Sequence, residues 1–218
     1  MPKNITYTTL NFIDDDFQKT VGTTQLNLKK LPWAYIDLGF SIDKPTTGLA
    51  LDNDPAIELS FSDALLEVTS WINLSNSNTV CIAIEAPLSV AFSISGNPLG
   101  RNEVEKRSTS NLTRTRYWYQ QSGATVFIAA HRFLDQLSAN SLTTVILFEG
   151  LISYKPKINF PKSHAYDADS LRNAINAYFS GIGSPPVILQ NIPNRNLFSL
   201  PSYFGFGGQC PPPPIFLI

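Results

Sequence analysis

The segment that decides the fold is Trp33-Ala34-Tyr35-Ile36-Asp37-Leu38-Gly39-Phe40. Its side chains are almost all apolar, which is typical of a central strand buried on both faces of a sheet. Asp37 is the exception. A carboxylate in such a strand loses hydration, and a partner or a bound metal ion must compensate for that loss. The segment therefore predicts a core strand that carries a polar site.

Turn residues and hydrophobic periodicity predict the elements that follow this strand. Two short strands, 46–53 and 57–61, come directly after it and indicate an antiparallel meander. Helices and strands then alternate, at 62–72, 79–85, 117–137, 143–154 and 164–179. This alternation requires crossover connections, and hence parallel pairing. We expect an α/β domain with a mixed five-stranded sheet and helices packed on it.

The remaining segments flank this predicted domain, which covers residues 32–180. Residues 1–31 are polar and are interpreted as an N-terminal extension able to add a strand. Residues 181–218 are rich in Pro, Gly and Asn and are interpreted as an irregular C-terminal wrap or tail. Of the 218 residues, 43% are hydrophobic and 15% are charged, which is enough apolar material for one buried core.

Composition excludes several classes of protein. The formal net charge of −1 argues against a protein that coats nucleic acid through phosphate contacts alone. The two cysteines, Cys81 and Cys210, are too few for a disulfide framework or a clustered zinc site. No stretch approaches the roughly 18 apolar residues of a membrane span, and the N-terminus has no signal-like apolar region. We expect no membrane association and a cytoplasmic location.

Acidic residues stand at the ends of elements that should adjoin in the sheet. Glu85 ends the apolar strand 79–85, and Asp167 lies in the first turn of the last helix, one turn after His164. Together with Asp37 they can form a cluster of oxygen ligands suited to Mg²⁺ or Mn²⁺. Strand-end acids also pair with surface lysines, and Asp167 also suits a helix N-terminus through the helix dipole.

Two further acids leave the composition of this cluster open. Glu149 lies in the apolar strand 143–154, where it either joins the cluster or faces solvent at the strand end. Asp169 shares the first turn of the last helix with Asp167, so either of the two can point inward.

At these positions the chain resembles the ribonuclease H-like nuclease superfamily, over about residues 33–180. That superfamily has an Asp on its first strand, a Glu on its fourth strand and an Asp at the start of its last helix. The segment His164-Ala165-Tyr166-Asp167-Ala168 resembles the H-x-x-D-A segment of RuvC-type Holliday-junction resolvases. The turn Ile84-Glu85-Ala86-Pro87-Leu88-Ser89, followed by Gly100-Arg101, is similar to an uncharacterised family of predicted nucleases with this fold. That family usually has Asp where Glu85 stands.

The resemblance implies a ribonuclease H-like fold and roles for four residues. Asp37, Glu85 and Asp167 would hold Mg²⁺ or Mn²⁺, and His164 would be a further ligand or a proton carrier. The implied activity is hydrolysis of phosphodiester bonds in DNA or RNA by a two-metal mechanism. The actin-like and sugar-kinase fold has a similar Asp-Leu-Gly strand and is one alternative, although no second glycine-rich phosphate loop is present. A non-catalytic interaction module with the same fold is the other.

Basic residues between 97 and 116 suggest where a nucleic acid strand would bind. Cations contact phosphates and aromatic rings stack on bases, and Tyr117-Trp118-Tyr119 follows this segment directly. Against this interpretation, Glu103 and Glu105 dilute the charge, and aromatic residues that begin a helix usually belong to the core. The predicted substrate-binding residues are Arg101, Arg114, Arg116 and Lys155.

Overall fold

The structure is a computed structural model, and it describes residues 4–9, 20–21, 24–25, 28–39, 41, 44–101, 104, 106–109, 112–115, 123–151, 163–189, 195–199 and 212–218. The α-helices are α1 (Phe61–Leu74), α2 (Gly123–Gln136) and α3 (His164–Phe179), and a 3-10 helix covers Leu28–Lys30. The strands are β1 (Ile5–Thr8), β2 (Thr20–Val21), β3 (Thr24–Gln25), β4 (Trp33–Asp37), β5 (Thr47–Leu51), β6 (Ile57–Leu59), β7 (Thr79–Glu85), β8 (Ser89–Ser93), β9 (Pro98–Gly100), β10 (Lys106–Thr109), β11 (Leu112–Thr115), β12 (Thr143–Leu151), β13 (Arg195–Ser199) and β14 (Ile215–Leu217).

The main sheet is mixed, with the strand order β1-β12-β7-β4-β5-β6, and β14 also pairs with β12. β4, β5 and β6 form an antiparallel meander, whereas β7 and β12 join β4 in parallel. The prediction of an α/β fold with a mixed sheet is therefore confirmed. Short links require antiparallel neighbours, and the helices α1 and α2 provide the crossovers that parallel strands need.

Within the described residues, the sheet has seven strands rather than the expected five, because both terminal segments add a strand to the same edge of β12. β1 pairs with Thr143–Ile146, and β14 pairs with Glu149–Leu151. Parallel sheets normally have their faces and edges covered, since an open edge exposes unpaired N–H and C=O groups. The strand β14 is only three residues long and follows a run of prolines, so it carries little periodic signal of its own.

Helices cover both faces of the sheet. One core cluster joins alternate residues of β4 and β7 to α1 and α2, and it contains Ala34, Ile36, Ala64, Val68, Ile72, Val80, Ile82, Ile84, Phe133 and Leu134. The other joins the intervening residues to α3, and it contains Trp33, Tyr35, Cys81, Ala83, Ile146, Phe148, Ala168, Leu171 and Ile175. Side chains alternate across a strand, so a strand buried on both faces reads as a continuous apolar run.

The predicted helices agree with the structure where it describes them. α3 spans His164–Phe179, and the hydroxyl of Ser163 caps it by accepting the N–H of Tyr166 at 3.1 Å. α1 starts at Phe61 rather than at the predicted Ser62, and Ser60 caps it in the same way by accepting the N–H of Asp63 at 3.1 Å. α2 starts at Gly123, while the predicted helical positions 117–122 lie outside the described residues.

The strand β4 is shorter than predicted, because it ends at Asp37 instead of continuing to Phe40. Two residues beyond the strand, Gly39 passes close to Thr46, because an added Cβ would lie 1.9 Å from the carbonyl oxygen of Thr46. Thr47 holds this turn by donating its hydroxyl to the carbonyl of Gly39 at 2.7 Å. Asp37 is the last residue of its strand, directly before this turn.

A smaller sheet, in the order β13-β8-β9, contains residues that the sequence did not identify as strands. Part of the basic segment 97–116 forms β9, and another part forms the antiparallel hairpin β10–β11. Among the described helices, none combines the length and the apolar composition that a membrane crossing requires.

Candidate metal centre

A row of four residues crosses the main sheet at the end of β4. Asp37 is the register partner of Gly48 on β5 and of Glu85 on β7, and Gly48 is the partner of Glu58 on β6. Register partners share a face of the sheet. Because side chains alternate along a strand, Asp37 points to the same face as Tyr35, which is the face that α3 covers. Neighbouring strands are about 4.8 Å apart, so these carboxylates start from closely spaced backbone positions.

Gly48 allows α3 to begin directly above this row. An added Cβ at Gly48 would lie 1.8 Å from the carbonyl oxygen of His164 and 2.2 Å from its carbonyl carbon. Real Cβ atoms do not approach other atoms within 3.0 Å, so only glycine fits at this position. The absence of one side chain on β5 therefore brings the first turn of α3 onto the sheet beside Asp37.

The first turn of α3 is held by polar groups as well as by this close approach. The N–H groups at a helix start have no intrahelical partner. Glu58 accepts the backbone N–H of His164 through Oε1 at 2.6 Å, and the Oγ of Ser163 accepts that of Tyr166 at 3.1 Å. The side chains of His164 and Asp167, one turn apart, consequently both face the end of β4.

Asp37, His164 and Asp167 form the candidate site. The Nδ1 of His164 lies 2.7 Å from Oδ2 of Asp37, and one ligand atom from each of the three residues lies within 4.8 Å of the other two. Both aspartates are buried, each with 5% of its surface exposed, whereas 36% of the His164 side chain is exposed. The cluster is thus a buried pair of carboxylates with an imidazole at its open side.

Electrostatics favour a positive charge within this cluster. The hydrogen bond from His164 to Asp37 raises the pKa of the imidazole, and partial burial opposes this rise. The negative charges of Asp37, Asp167 and Glu58 raise the same pKa further. The positive end of the α3 dipole lies at this helix start, where it stabilises the ionised carboxylates and opposes a cation. A cation at the site would gain from the negative charges of Asp37, Asp167 and Glu58.

The donor set fits a divalent metal ion. Carboxylate oxygens suit Mg²⁺ and Mn²⁺, and an imidazole nitrogen suits transition metals such as Mn²⁺ better than Mg²⁺. Asp37 and Asp167 would supply oxygens and His164 a nitrogen. Glu85 lies beside Asp37 on the same face and is partly buried, but it is not among the residues whose ligand atoms lie within 4.8 Å of one another.

Glu149 lies on the opposite face of the sheet from the candidate site. It is fully buried, and its carboxylate contacts the Nη1 of Arg101 at 2.8 Å, the N–H of Leu88 at 2.9 Å and the hydroxyl of Ser89 at 3.2 Å. Alternation along β12 puts Glu149 on the face of Leu147, which packs in the cluster that contains α1 and α2. Glu149 therefore joins β12 to β8 and does not join the cluster of Asp37, His164 and Asp167.

The structure places the predicted substrate-binding residues in different environments, and two of them lie outside the residues that it describes. Arg101 is 6% exposed, and its Nη1 also donates to the carbonyl of Gly150 at 3.2 Å. This guanidinium therefore lies in the interior rather than on a surface that could bind a nucleic acid strand. Arg114 belongs to β11, where its register partner on β10 is Arg107. Arg116 and Lys155 lie outside the described residues.

Asp169 is also separate from the site. It forms an ion pair with Arg172 and accepts the side-chain amide of Asn173 at 3.1 Å. Arg172 in turn donates to the backbone carbonyl of Asp54 at 2.5 Å, which ties α3 to the β5–β6 turn. Only Asp167 lies in the first turn of α3, and of these two acids it is the one that faces the end of β4.

Two residues that build the site were missed at the level of sequence. Gly48 and Glu58 lie in strands that were predicted, but nothing in the sequence indicates which residue of β5 or β6 stands opposite Asp37. The strand register supplies that information. Comparison of the chain with models of protein families, with curated proteins and with solved structures gives no match in any of the three.

Proposed function

We propose that the chain has a ribonuclease H-like fold and is a metal-dependent nuclease that hydrolyses phosphodiester bonds. The strand order supports the fold: an antiparallel meander whose first strand is followed, in parallel, by two crossover-connected strands. The observation that carries the activity is the convergence of Asp37 and Asp167 with His164. These acids come from distant parts of the chain and are both buried, within 4.8 Å of the same imidazole.

In this proposal, the acidic residues bind the ion. Asp37 and Asp167 hold a divalent metal, Mg²⁺ or Mn²⁺. Glu85, the register partner of Asp37 on the neighbouring strand, lies outside the 4.8 Å cluster and adds negative charge beside it. Burial favours this role, because a carboxylate that has lost hydration gains most from a cation. The metal, when bound, supplies an activated water and stabilises negative charge on the leaving oxygen.

His164 has two functions in the proposed site. Its Nδ1 lies 2.7 Å from Asp37 and fixes the orientation of that carboxylate. Its partly exposed ring can also exchange protons with solvent, which suits a group that carries a proton to or from the reacting phosphodiester.

The proposed substrate is the backbone of DNA or RNA. An acidic site repels phosphate unless metal ions bring positive charge to it, so binding and cleavage should both depend on the metal. The basic hairpin β10–β11, which includes Lys106, Arg107 and Arg114, is the proposed contact with the substrate backbone.

A cleavage assay tests the proposal. The purified chain is incubated with labelled single- and double-stranded DNA and RNA in Mn²⁺, in Mg²⁺ and in EDTA. Asp37→Asn and Asp167→Asn are compared with Glu67→Gln, which changes an exposed acid of α1. We expect cleavage in Mn²⁺ or Mg²⁺ that both aspartate variants lose by at least about 100-fold and the control retains. Cleavage that persists in Asp37→Asn would overturn the assignment of the site.

The ion pair between His164 and Asp37 favours one second candidate, a non-catalytic interaction module with the same fold. A protonated imidazole compensates the buried carboxylate without a metal ion. In that case Mn²⁺ would not bind, and no nucleic acid would be cleaved. Strong thermal stabilisation by ATP with Mg²⁺, beyond that by the metal alone, would instead favour a nucleotide-binding protein of the actin and sugar-kinase type.

A further inference from the structure

Glu58 makes a contact that the proposed chemistry does not use. This glutamate lies on β6, the edge strand of the main sheet beside β5, and is exposed to solvent. Its Oε1 nevertheless accepts the backbone N–H of His164 at 2.6 Å, across 106 positions of the chain. The contact joins an exposed strand to the first residue of α3.

The position of this contact determines what it can do. His164 is the residue whose side chain meets Asp37, so a bond to its backbone controls where that side chain starts. Gly48 lies beneath the next peptide, between His164 and Ala165, and provides space, but a glycine offers no side chain that could hold the helix laterally. Ser163 caps the next part of the turn, at Tyr166, and leaves the N–H of His164 to Glu58.

The three strands β4, β5 and β6 thus present complementary groups to one helix start. Asp37 contacts the side chain of His164, Gly48 admits its peptide, and Glu58 accepts its N–H. These three residues are successive register partners, so their relative positions are set by the hydrogen bonds of the sheet. A helix start held at its first peptide has little freedom to turn its side chain away from Asp37.

We propose that Glu58 is a positioning residue that fixes the first turn of α3 and thereby sets the geometry of the Asp37–His164–Asp167 cluster. The effect on chemistry rests on the proposed metal-dependent nuclease function, whereas the effect on geometry does not. Residues that orient metal ligands through hydrogen bonds typically change metal affinity or activity by about 10- to 100-fold when they are removed. Glu58 acts through the backbone of His164 and does not touch the substrate.

Two substitutions separate the hydrogen bond from the negative charge. Glu58→Gln keeps an Oε1 acceptor of the same length but loses the charge, and Glu58→Ala loses both. Because the acceptor is what holds the peptide, we expect the glutamine variant to resemble the unchanged protein and the alanine variant to differ from it. Glu67→Ala, which removes an exposed glutamate of α1, is the matched control.

The experiment uses the full chain labelled with ¹⁵N, first without metal. We expect Glu58→Ala to accelerate hydrogen exchange of the His164 amide about tenfold, and to shift the imidazole ¹⁵N signals. Glu67→Ala should leave both close to those of the unchanged protein, and Glu58→Gln should leave the amide exchange unchanged. Because loss of the Glu58 charge lowers the pKa of His164, the imidazole signals of all variants are compared at a pH where the ring is fully protonated. Unchanged exchange and unchanged imidazole signals in Glu58→Ala would overturn the proposal, as would an equal change in Glu67→Ala.

Titration with Mn²⁺ and the cleavage assay then test the catalytic consequence. We expect Glu58→Ala to weaken Mn²⁺ binding by about 10-fold or more and to lower kcat, with rescue by Glu58→Gln. If the unchanged protein neither binds Mn²⁺ nor cleaves nucleic acid, the nuclease function fails while the amide and imidazole data still decide the role of Glu58. If it does both and Glu58→Ala does so equally well, the positioning role is refuted and the nuclease function remains.

Discussion

The substitution Gly48→Ala tests the central geometric feature of the site. The new methyl group would lie 1.8 Å from the carbonyl oxygen of His164, 2.2 Å from the carbonyl carbon and 2.8 Å from the amide nitrogen of Ala165. All three are backbone atoms, so no side-chain rotation relieves the contact. To move from 1.8 Å to 3.0 Å, the first turn of α3 must withdraw by about 1.2 Å.

The magnitude of the effect follows from this displacement. Overpacking a well-packed region typically costs about 1–3 kcal/mol. Replacing glycine by alanine also stabilises the folded state by about 0.4–1 kcal/mol, because the unfolded chain loses freedom. We therefore expect net destabilisation by about 1–2 kcal/mol. The 2.7 Å bond between His164 and Asp37 cannot survive the withdrawal unchanged, and a misplacement of about 1 Å can cost 100-fold in activity.

The assay combines urea unfolding with measurement of Mn²⁺ affinity and of nuclease activity. Gly96→Ala is the matched control, because Gly96 has a φ of 82° and no atom within 4 Å of the added Cβ. The control should lose about 1–2 kcal/mol through backbone strain and keep its metal affinity. A Gly48→Ala variant with unchanged stability and metal affinity would refute the inferred approach of α3 to β5.

Three further predictions concern the Arg101–Glu149 pair, the His164–Asp37 pair and the strand β14. Glu149→Ala leaves the buried guanidinium of Arg101 without its carboxylate, so we expect a loss of about 3–5 kcal/mol in urea unfolding, with Mn²⁺ affinity unchanged; a loss below about 1 kcal/mol would show that the pair is not buried. The hydrogen bond to Asp37 raises the pKa of His164, so the pair stabilises the fold fully below about pH 6.5, and this contribution is lost as the pH rises through the higher folded-state pKa. In EDTA, the stability difference between the unchanged protein and His164→Gln should consequently be larger at about pH 5.5 than at about pH 9, and an equal difference at both would contradict the ion pair. Phe216→Ala should cost about 3–5 kcal/mol by thermal or urea unfolding, because Phe216 is 2% exposed within the core, and a cost near zero would mean that β14 is dispensable.

Much of the architecture was predictable because its signals are local. Continuous apolar runs at β4, β7 and β12 indicated buried strands, and the apolar periodicity of α3 gave both of its ends. Short links gave the meander, and intervening helices gave the parallel crossovers. The strands β1 and β14 were harder, since short terminal strands pair with β12 through backbone hydrogen bonds, which leave little trace in side-chain type.

The candidate site was predicted in part for the same reason. Asp37 was recognisable as a lone acid in an apolar strand, and His164 and Asp167 as one turn of a helix start. By the same reasoning Glu149 was equally recognisable, since it also lies in an apolar strand. The odd or even position of a residue in a strand decides which face of the sheet its side chain occupies. Only the tertiary structure shows that Glu149 contacts Arg101 on one face and that Asp37 contacts His164 on the other.

The sequence by itself determined the order of helices and strands, the mixed character of the sheet and which acidic residues lie at the ends of these elements. These follow from hydrophobic periodicity and from the short reach of turns, both of which act over a few residues. The tertiary structure alone decided that Gly48 and Glu58 stand in register with Asp37, that Arg101 is buried, and that both termini complete one sheet edge. Register and burial depend on contacts between residues far apart in the chain, and a single sequence does not contain those distances.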